Sequence, residues 1–480
     1  MSQASNQAGE TTSFKRNRFR PATPEEKKAI ITPPRVKIEK AVLKKLLPAE
    51  QLKALARKTG ALDVRERKLT CVGFLWLVIL ALGPGGPVTL IGMVSLAVAA
   101  CVMDGLPVTK AVRSKQAVSE NLKCRPWQYF EAVLNYLLSS HVLLFAQGVG
   151  LTCLEVVDRV RLVDSTVMRV SMKLIQTFPG ARTGRRKKWA ALKLHAVLDL
   201  FQGVPNVLAI TAQKANDRTV EFLRPIGERV LYIFDLGYWK YHLFDQIIER
   251  KQHFISRLRA DCNPLIKAVY VGSQEWVGKR LKEITLTGKK CDLLVNLSSP
   301  HPSGAKMIHD VRLVGQWVAE NQRWHLYITS LLDWKVFVVE LIVQLYRLRW
   351  QIEIFFRDLK SVLKIANFVS TSENGIRIQI YAALIHYVLT HIVILKAAHE
   401  TKDPLESFSI PACLTVVGKV LEHHVELLIP GSSVDWVALE TRLVEAVKAL
   451  RRRPNPKRVH RLTYVRNTWL SVGEPAARPP

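Results

Sequence analysis

Val160-Arg161-Leu162-Val163-Asp164-Ser165-Thr166 reads as an apolar run that ends on a carboxylate. Aliphatic and β-branched residues favour a strand, and an acid delivered at a strand end is a common way for an α/β sheet to present a ligand site. The device recurs where Arg229-Val-Leu-Tyr-Ile-Phe234 leads to Asp235, just before Gly237. Between the two, Ala191 to Leu200 and Val204 to Ala212 read as further strands around the turn Gln202-Gly203, and a helical stretch begins near Asn216. Three strands, a helix and a fourth strand predict an α/β sheet with mixed strand directions. Each acid also has a plainer use: Asp164 suits a cap with Ser165 and Thr166, and Asp235 suits a turn before Gly237.

Further along, Tyr346-Arg-Leu-Arg349-Trp-Gln-Ile-Glu353-Ile-Phe-Phe-Arg-Asp-Leu-Lys360 sorts two chemistries onto two faces of one expected helix. At about 100° per residue, Tyr346, Arg349, Glu353 and Lys360 share a face, while Leu348, Ile352, Phe355, Leu359 and Val362 gather on another. The apolar face suits a core. The charged face suits either ordinary helical ion pairs or a charged partner.

Around these segments the chain divides into five parts. Residues 1–65 are a basic arm leading into one amphipathic helix, and 66–150 are helical, with Val108 to Leu122 and Trp127 to Phe145 as a possible helix-turn-helix reader of DNA. Residues 151–257 and 334–400 carry the α/β pattern, the latter with a second apolar helix from Gly375 to Ala398. Between them, 258–333 is β-rich, with strands expected at Ile266 to Val271, Lys282 to Leu286, Leu293 to Leu297, Met307 to Trp317 and Trp324 to Thr329. Residues 401–480 are a C-terminal helical region ending in a basic tail with Arg451-Arg452-Arg453 and Lys457-Arg458.

Composition narrows the partners. The 480 residues carry 70 Lys and Arg against 40 Asp and Glu, a formal charge of +30, so the strong positive field favours a polyanion, with nucleic acid ahead of an anionic membrane. Seven cysteines, scattered and without a Cys-x-x-Cys pair, indicate neither a disulfide framework nor a zinc knuckle. No apolar stretch with a cleavage site opens the chain, so a cytoplasmic, nucleoid-associated protein is expected. The two apolar runs within Thr70 to Met103 each fall short of the ~20 residues that span a bilayer and read as buried helices, with a membrane hairpin as the competing reading.

Asp164, Asp235 and Glu353 are too far apart for a local motif, yet three carboxylates are what phosphoryl transfer needs. Their hard oxygens hold two divalent ions about 4 Å apart, one activating the nucleophile and one stabilising the leaving oxygen. With Asp-Ser-Thr after one strand, Asp-x-Gly-Tyr after another and Tyr-x2-Arg-x3-Glu-x6-Lys on a late helix, the chain resembles bacterial insertion-sequence transposases of the DDE class. The branch it is most similar to is insertion-sequence family four. The resemblance runs from about 155 to 395 and includes Lys193-Leu-His195 and Asp217. It implies an RNase H-like core in which Asp164, Asp235 and Glu353 are catalytic and bind Mg²⁺ or Mn²⁺, two ions per site. It further implies that Tyr346, Arg349 and Lys360 contact DNA beside the cut, that the β-rich insertion helps to hold the cleaved end, and that two subunits act together on terminal repeats and target DNA. Leu236 departs from the pattern, since the family more often has a polar residue between that Asp and Gly.

Arg182, Arg185, Arg186, Lys187 and Lys188 lie between the first two core strands, where a basic loop could track phosphates or simply be solvated, and Trp189 follows them. Trp276, Trp317 and Trp324 in the insertion could stack on a flipped base, although packing is the commoner use. His195 reads as a packed strand residue, Asp217 as a cap, and Glu155, Asp158 and Asp358 as surface charges. The expected activity is metal-dependent cleavage at the ends of a mobile element followed by strand transfer. A non-catalytic DNA-binding regulator and an RNase H-like nuclease that does not join strands are the alternatives.

Overall fold

The computed structural model describes residues 42–62, 69–81, 89–103, 105, 114–146, 157, 159–181, 188–200, 203–215, 223–224, 228–297, 307–403, 405–428 and 434–452. The basic arm before residue 42, Arg182, Arg185, Arg186, Lys187, Asp217, Glu155, Asp158 and the basic tail from 453 lie outside the described residues. Six helices come first: α1 (Val42–Leu46), α2 (Ala49–Lys58), α3 (Cys71–Ala81), α4 (Leu90–Met103), α5 (Lys115–Cys124) and α6 (Trp127–Ala146). At 11 residues, nine of them buried, α3 is a core helix about 16 Å long, well short of a bilayer. Between α5 and α6 the buried Arg125 closes the corner, donating to the Ala61 carbonyl at 3.2 Å and the Leu69 carbonyl at 2.8 Å. Helix α6 buries Tyr129, Phe130, Val133, Leu134 and Leu137 at helical spacing, so one stripe faces the core.

The strand pattern predicted around Asp164 is present and extends further than expected. β1 (Arg159–Arg169), β2 (Ala191–Asp199) and β3 (Pro205–Ala212) pair antiparallel, while β4 (Val230–Phe234) and β5 (His253–Arg257) add in parallel. All five residues of β4 are buried, as befits a central strand covered on both faces. The insertion supplies β6 (Leu265–Val271), β7 (Lys290–Asn296), β8 (Val311–Val318) and β9 (Arg323–Thr329). It is continuous with the core sheet, because β9 pairs with β5 at Ile255↔Thr329, Ser256↔Ile328 and Arg257↔Tyr327. A single nine-stranded sheet results, ordered β3-β2-β1-β4-β5-β9-β8-β7-β6. Lys282 to Leu286 is not a strand: a 3₁₀ turn at Leu281–Glu283 forms there, closed where the Arg280 amide donates to Glu283 Oε2 at 2.9 Å. Trp276 is buried against Gly272, whose φ of +139° and missing Cβ give the indole its space.

Helix α7 (Tyr241–Glu249) covers one face of the sheet, with Phe244 and Ile247 packed on the side of Tyr232, Phe234 and Phe254. The opposite face, bearing Val160, Leu162, Leu231 and Ile233, lies in the same core as α8 (Val339–Arg347), α9 (Trp350–Ser361) and α10 (Glu373–Thr401). The single helix expected over Tyr346–Lys360 is therefore two. Around the junction the backbone bonds tighten to three-residue spacing: Leu348 donates to Leu345, Arg349 to Tyr346 and Ile352 to Arg349. Helix α10 is long and apolar enough to cross a membrane, yet 94% of its most apolar window is buried inside the fold. Ser372 caps its start by accepting from the Gly375 amide at 3.1 Å, and α11 (Ile410–Glu422) and α12 (Trp436–Ala449) complete the helical layer.

Candidate active site

The β1–β4 ladder ends at Val163↔Phe234, so the next position on each backbone is an acid, Asp164 on one and Asp235 on the other. Adjacent strands are about 4.8 Å apart, and Asp235 keeps an extended backbone at φ −84°, ψ 167°. Two carboxylates thus stand side by side where the parallel pairing stops. The strand-end expectation holds for Asp235 but needs correcting for Asp164. β1 continues to Arg169, with Asp164 paired to Ala196 of β2, so this acid lies mid-strand beside the end of its neighbour.

Glu353 comes from the first turn of α9, on the face turned away from the buried Ile352, Phe355 and Leu359. One residue ties it to the sheet. Arg349 donates from Nη1 to Asp164 Oδ2 at 3.3 Å and from Nη2 to Glu353 Oε1. Asp164 also accepts from the Ser165 amide at 2.7 Å. Burial pushes the Asp164 carboxyl up to about 6, and the nearby Asp235 and Glu353 add to the shift against the pull of Ser165 and Arg349. For Arg349, burial opposes the charge, but Tyr346, Asp235 and Glu353 together raise its pKa. These shared electrostatics put all three acids in one neighbourhood.

Asp164, Ser165, Thr166, Glu353, Phe356, Arg357, Lys360 and Ser361 line a cleft of about 490 Å³. Lys360 donates to the Val167 carbonyl at 3.0 Å, and partial burial lowers its pKa. Arg357 was not singled out from the sequence, although its position one turn after Glu353 was the available signal. It is held through Asp358 Oδ1, which accepts from Arg357 Nε at 3.2 Å and Nη2 at 3.0 Å. Asp358 itself is buried, correcting its expected surface position.

Tyr346 departs from the expected exposed face. Its ring is buried, 4.8 Å from that of Tyr327, and its hydroxyl has no hydrogen-bond partner among the described residues. It faces Arg349 from behind, with the guanidinium 6.0 Å from the ring centroid. The junction between α8 and α9 accounts for this, because a tightened turn displaces Tyr346 from the stripe that an uninterrupted helix would give. Lys188 is exposed. His195 is packed as expected, with Thr211 Oγ1 at 2.9 Å and Tyr238 Oη at 3.3 Å from its ring nitrogens. Trp317 and Trp324 meet edge-on at 6.0 Å on β8 and β9.

As a donor set, three carboxylates on two adjoining strands and a facing helix suit a hard divalent ion. Among the described residues, no group of three or more His, Cys, Asp or Glu stands converged on a common metal position. The guanidinium of Arg349 lies between two of the acids.

Residues 156–389 match the family described as the transposase DDE domain. A Sinorhizobium fredii protein provisionally named transposase y4zB is 30% identical over 233 residues, covering 47% of this chain and 61% of the relative. The transposase for insertion sequence element IS231F of Bacillus thuringiensis subsp. israelensis is 24% identical, covering 50% of this chain and 57% of the relative. The chain thus spans about six-tenths of the length of these two curated relatives. The transposase for IS231B of Bacillus thuringiensis subsp. berliner is 22% identical over 406 residues, 76% of this chain and 81% of that protein. Among solved structures, a piggyBac transposase synaptic complex with hairpin DNA is similar at a TM-score of 0.44 and 9% identity, covering 92% of this chain and 87% of that one. Over residues 156–389, just under half of its length, the chain therefore matches the transposase DDE domain and is similar to transposases of bacterial insertion sequences.

Proposed function

We propose that the chain is a cut-and-paste DNA transposase that cleaves the ends of an insertion sequence and joins them to target DNA. The observation that carries this reading is the placement of Asp164 and Asp235 at the end of one parallel ladder, with Glu353 linked to Asp164 through Arg349. The strand order β3-β2-β1-β4-β5, antiparallel for the first three and parallel for the next two, supports an RNase H-like core. On this reading residues 151–257 and 334–400 form that core, 258–333 the β-rich insertion, 1–65 the basic arm and helix, 66–150 a helical domain that reads DNA, and 401–480 a C-terminal helical region with its basic tail. Insertion-sequence family four, with its Tyr346, Arg349, Glu353 and Lys360 spacing, is the proposed branch.

Asp164, Asp235 and Glu353 would hold two Mg²⁺ or Mn²⁺ ions, which when bound activate the attacking oxygen and stabilise the leaving one. The protein's share is to hold the carboxylates, admit a phosphodiester into the cleft and offset its charge. Arg357 and Lys360 line the cleft, and Arg349 sits between Asp164 and Glu353 beside it. Lys188, with Arg185, Arg186 and Lys187 before it, would extend the cationic track, and Tyr346 would support Arg349 from behind. Two copies of the chain acting on paired double-stranded ends complete the proposal, in line with the formal charge of +30. The alternatives remain a DNA-binding regulator and a nuclease that cuts without joining.

The test uses the full chain with a duplex carrying the element's end. Asp164→Asn, Asp235→Asn and Glu353→Gln are each expected to reduce Mg²⁺-dependent cleavage at least about a thousandfold while duplex binding survives. Cleavage retained by any one variant removes that acid from the site. Cleavage without strand transfer in the unaltered chain favours the nuclease.

A further inference from the structure

Arg349 occupies the position where a shared cation would be expected. Its two terminal nitrogens reach Asp164 on β1 and Glu353 on α9, residues 185 and 4 positions away in sequence. A helical pair with Glu353 alone would be an ordinary surface contact. The second contact spans from helix to sheet, and the Arg349 side chain is only 16% exposed. A divalent ion needs its carboxylate oxygens about 2.1 Å from its centre, and therefore within about 4 Å of one another. A planar guanidinium inserted between two carboxylates holds them apart and supplies the positive charge in the ion's stead. Guanidinium and ion therefore compete for the same oxygens.

The cleft offers the guanidinium another partner. It opens beside Asp164 and Glu353 and is also lined by Arg357 and Lys360, the cationic lining that a DNA phosphate would enter. We propose that Arg349 is a placeholder: in the DNA-free chain it fills the cation seat between Asp164 and Glu353, and an entering phosphate draws it off, so that DNA and divalent ion bind cooperatively. This rests on the reading of the acids as ion ligands. Linkage then requires each ligand to tighten the other by the same factor. The device keeps the seat closed to ions until a substrate phosphate is at hand.

The experiment is a Mn²⁺ titration of the full chain, following free Mn²⁺ by electron paramagnetic resonance without DNA, and again with a short duplex after subtracting the duplex's own binding. Arg349→Gln is expected to bind Mn²⁺ about tenfold more tightly than the unaltered chain in the absence of DNA, within the usual range of such couplings. Adding duplex is expected to tighten the unaltered chain and to leave Arg349→Gln nearly unchanged. Arg349→Lys keeps the charge but cannot bridge both carboxylates, so it too is expected to bind more tightly. If both variants match the unaltered chain while Asp164→Asn weakens binding, the placeholder is overturned and the ion site stands. If Mn²⁺ binding ignores Asp164→Asn as well, the reading beneath it fails too.

Discussion

Two arginine–carboxylate clusters use the same chemistry in opposite ways. Arg312 on β8 is fully buried, its Nε 3.0 Å from Asp292 Oδ1 and its Nη2 2.5 Å from Oδ2. Nη1 also donates to the Leu331 carbonyl at 2.7 Å and Nη2 to the Phe337 carbonyl at 2.9 Å, both on the connection into α8. Arg349 binds two carboxylates beside an open cleft, with 20% and 30% of those side chains exposed. The first cluster is saturated and dry, so it fixes where the α8–α9 pair begins. The second is half-open and its partners can be exchanged. Saturation and burial, more than the identity of the pair, separate an ion pair that builds from one that works.

The comparison is most exposed to a test at Arg312. Arg312→Met leaves the buried Asp292 carboxylate without its bidentate partner and removes one donor each from the Leu331 and Phe337 carbonyls, an expected loss of about 3–5 kcal/mol in urea unfolding. Asp292→Leu added to it is expected to recover part of that loss, since no lone charge then remains. A comparable loss from Arg349→Gln would erase the distinction.

A smaller effect is expected from pH. The Asp164 carboxyl titrates at about 6 in the fold against an ordinary value of 3.8. The folded chain therefore holds this proton more firmly than the unfolded chain does, and the contribution is fully present below pH 3.8 and lost as pH rises through about 6. Metal-free urea midpoints should accordingly fall less with rising pH in Asp164→Asn than in the unaltered chain across that window. Parallel curves for the two proteins would mean that burial does not hold the proton.

The smallest effect on stability is expected at Lys360, whose bond to Val167 lies near the surface. Lys360→Ala should cost less than about 1 kcal/mol, while the slope of duplex affinity against salt becomes shallower by about one. An unchanged slope would place Lys360 away from phosphate.

Much of the site was legible because local sequence carries it. Apolar runs that terminate in Asp164 and Asp235 announce strands with acids, and the spacing of Leu348, Ile352, Phe355 and Leu359 announces a buried stripe, which all four residues form. What stayed hidden depends on distant partners. Tyr346 turns inward because Tyr327, on β9, offers it a ring and because the helix breaks beside it. Asp358 looks like a surface charge until its neighbours in the fold bury it. The union of insertion and core also escaped the sequence, since the Ser256↔Ile328 pairing joins segments whose separation no periodicity encodes.

That union constrains how such a gene can shrink. Loss of β6, β7 and β8 would strip β9 of one neighbour and leave a raw row of amide and carbonyl groups along its flank, an invitation to stick to other chains. Removal of β9 as well would hand the same liability to β5. Shortened descendants of this chain would need a replacement strand, a covering helix or a charged rim before they could remain dispersed in solution.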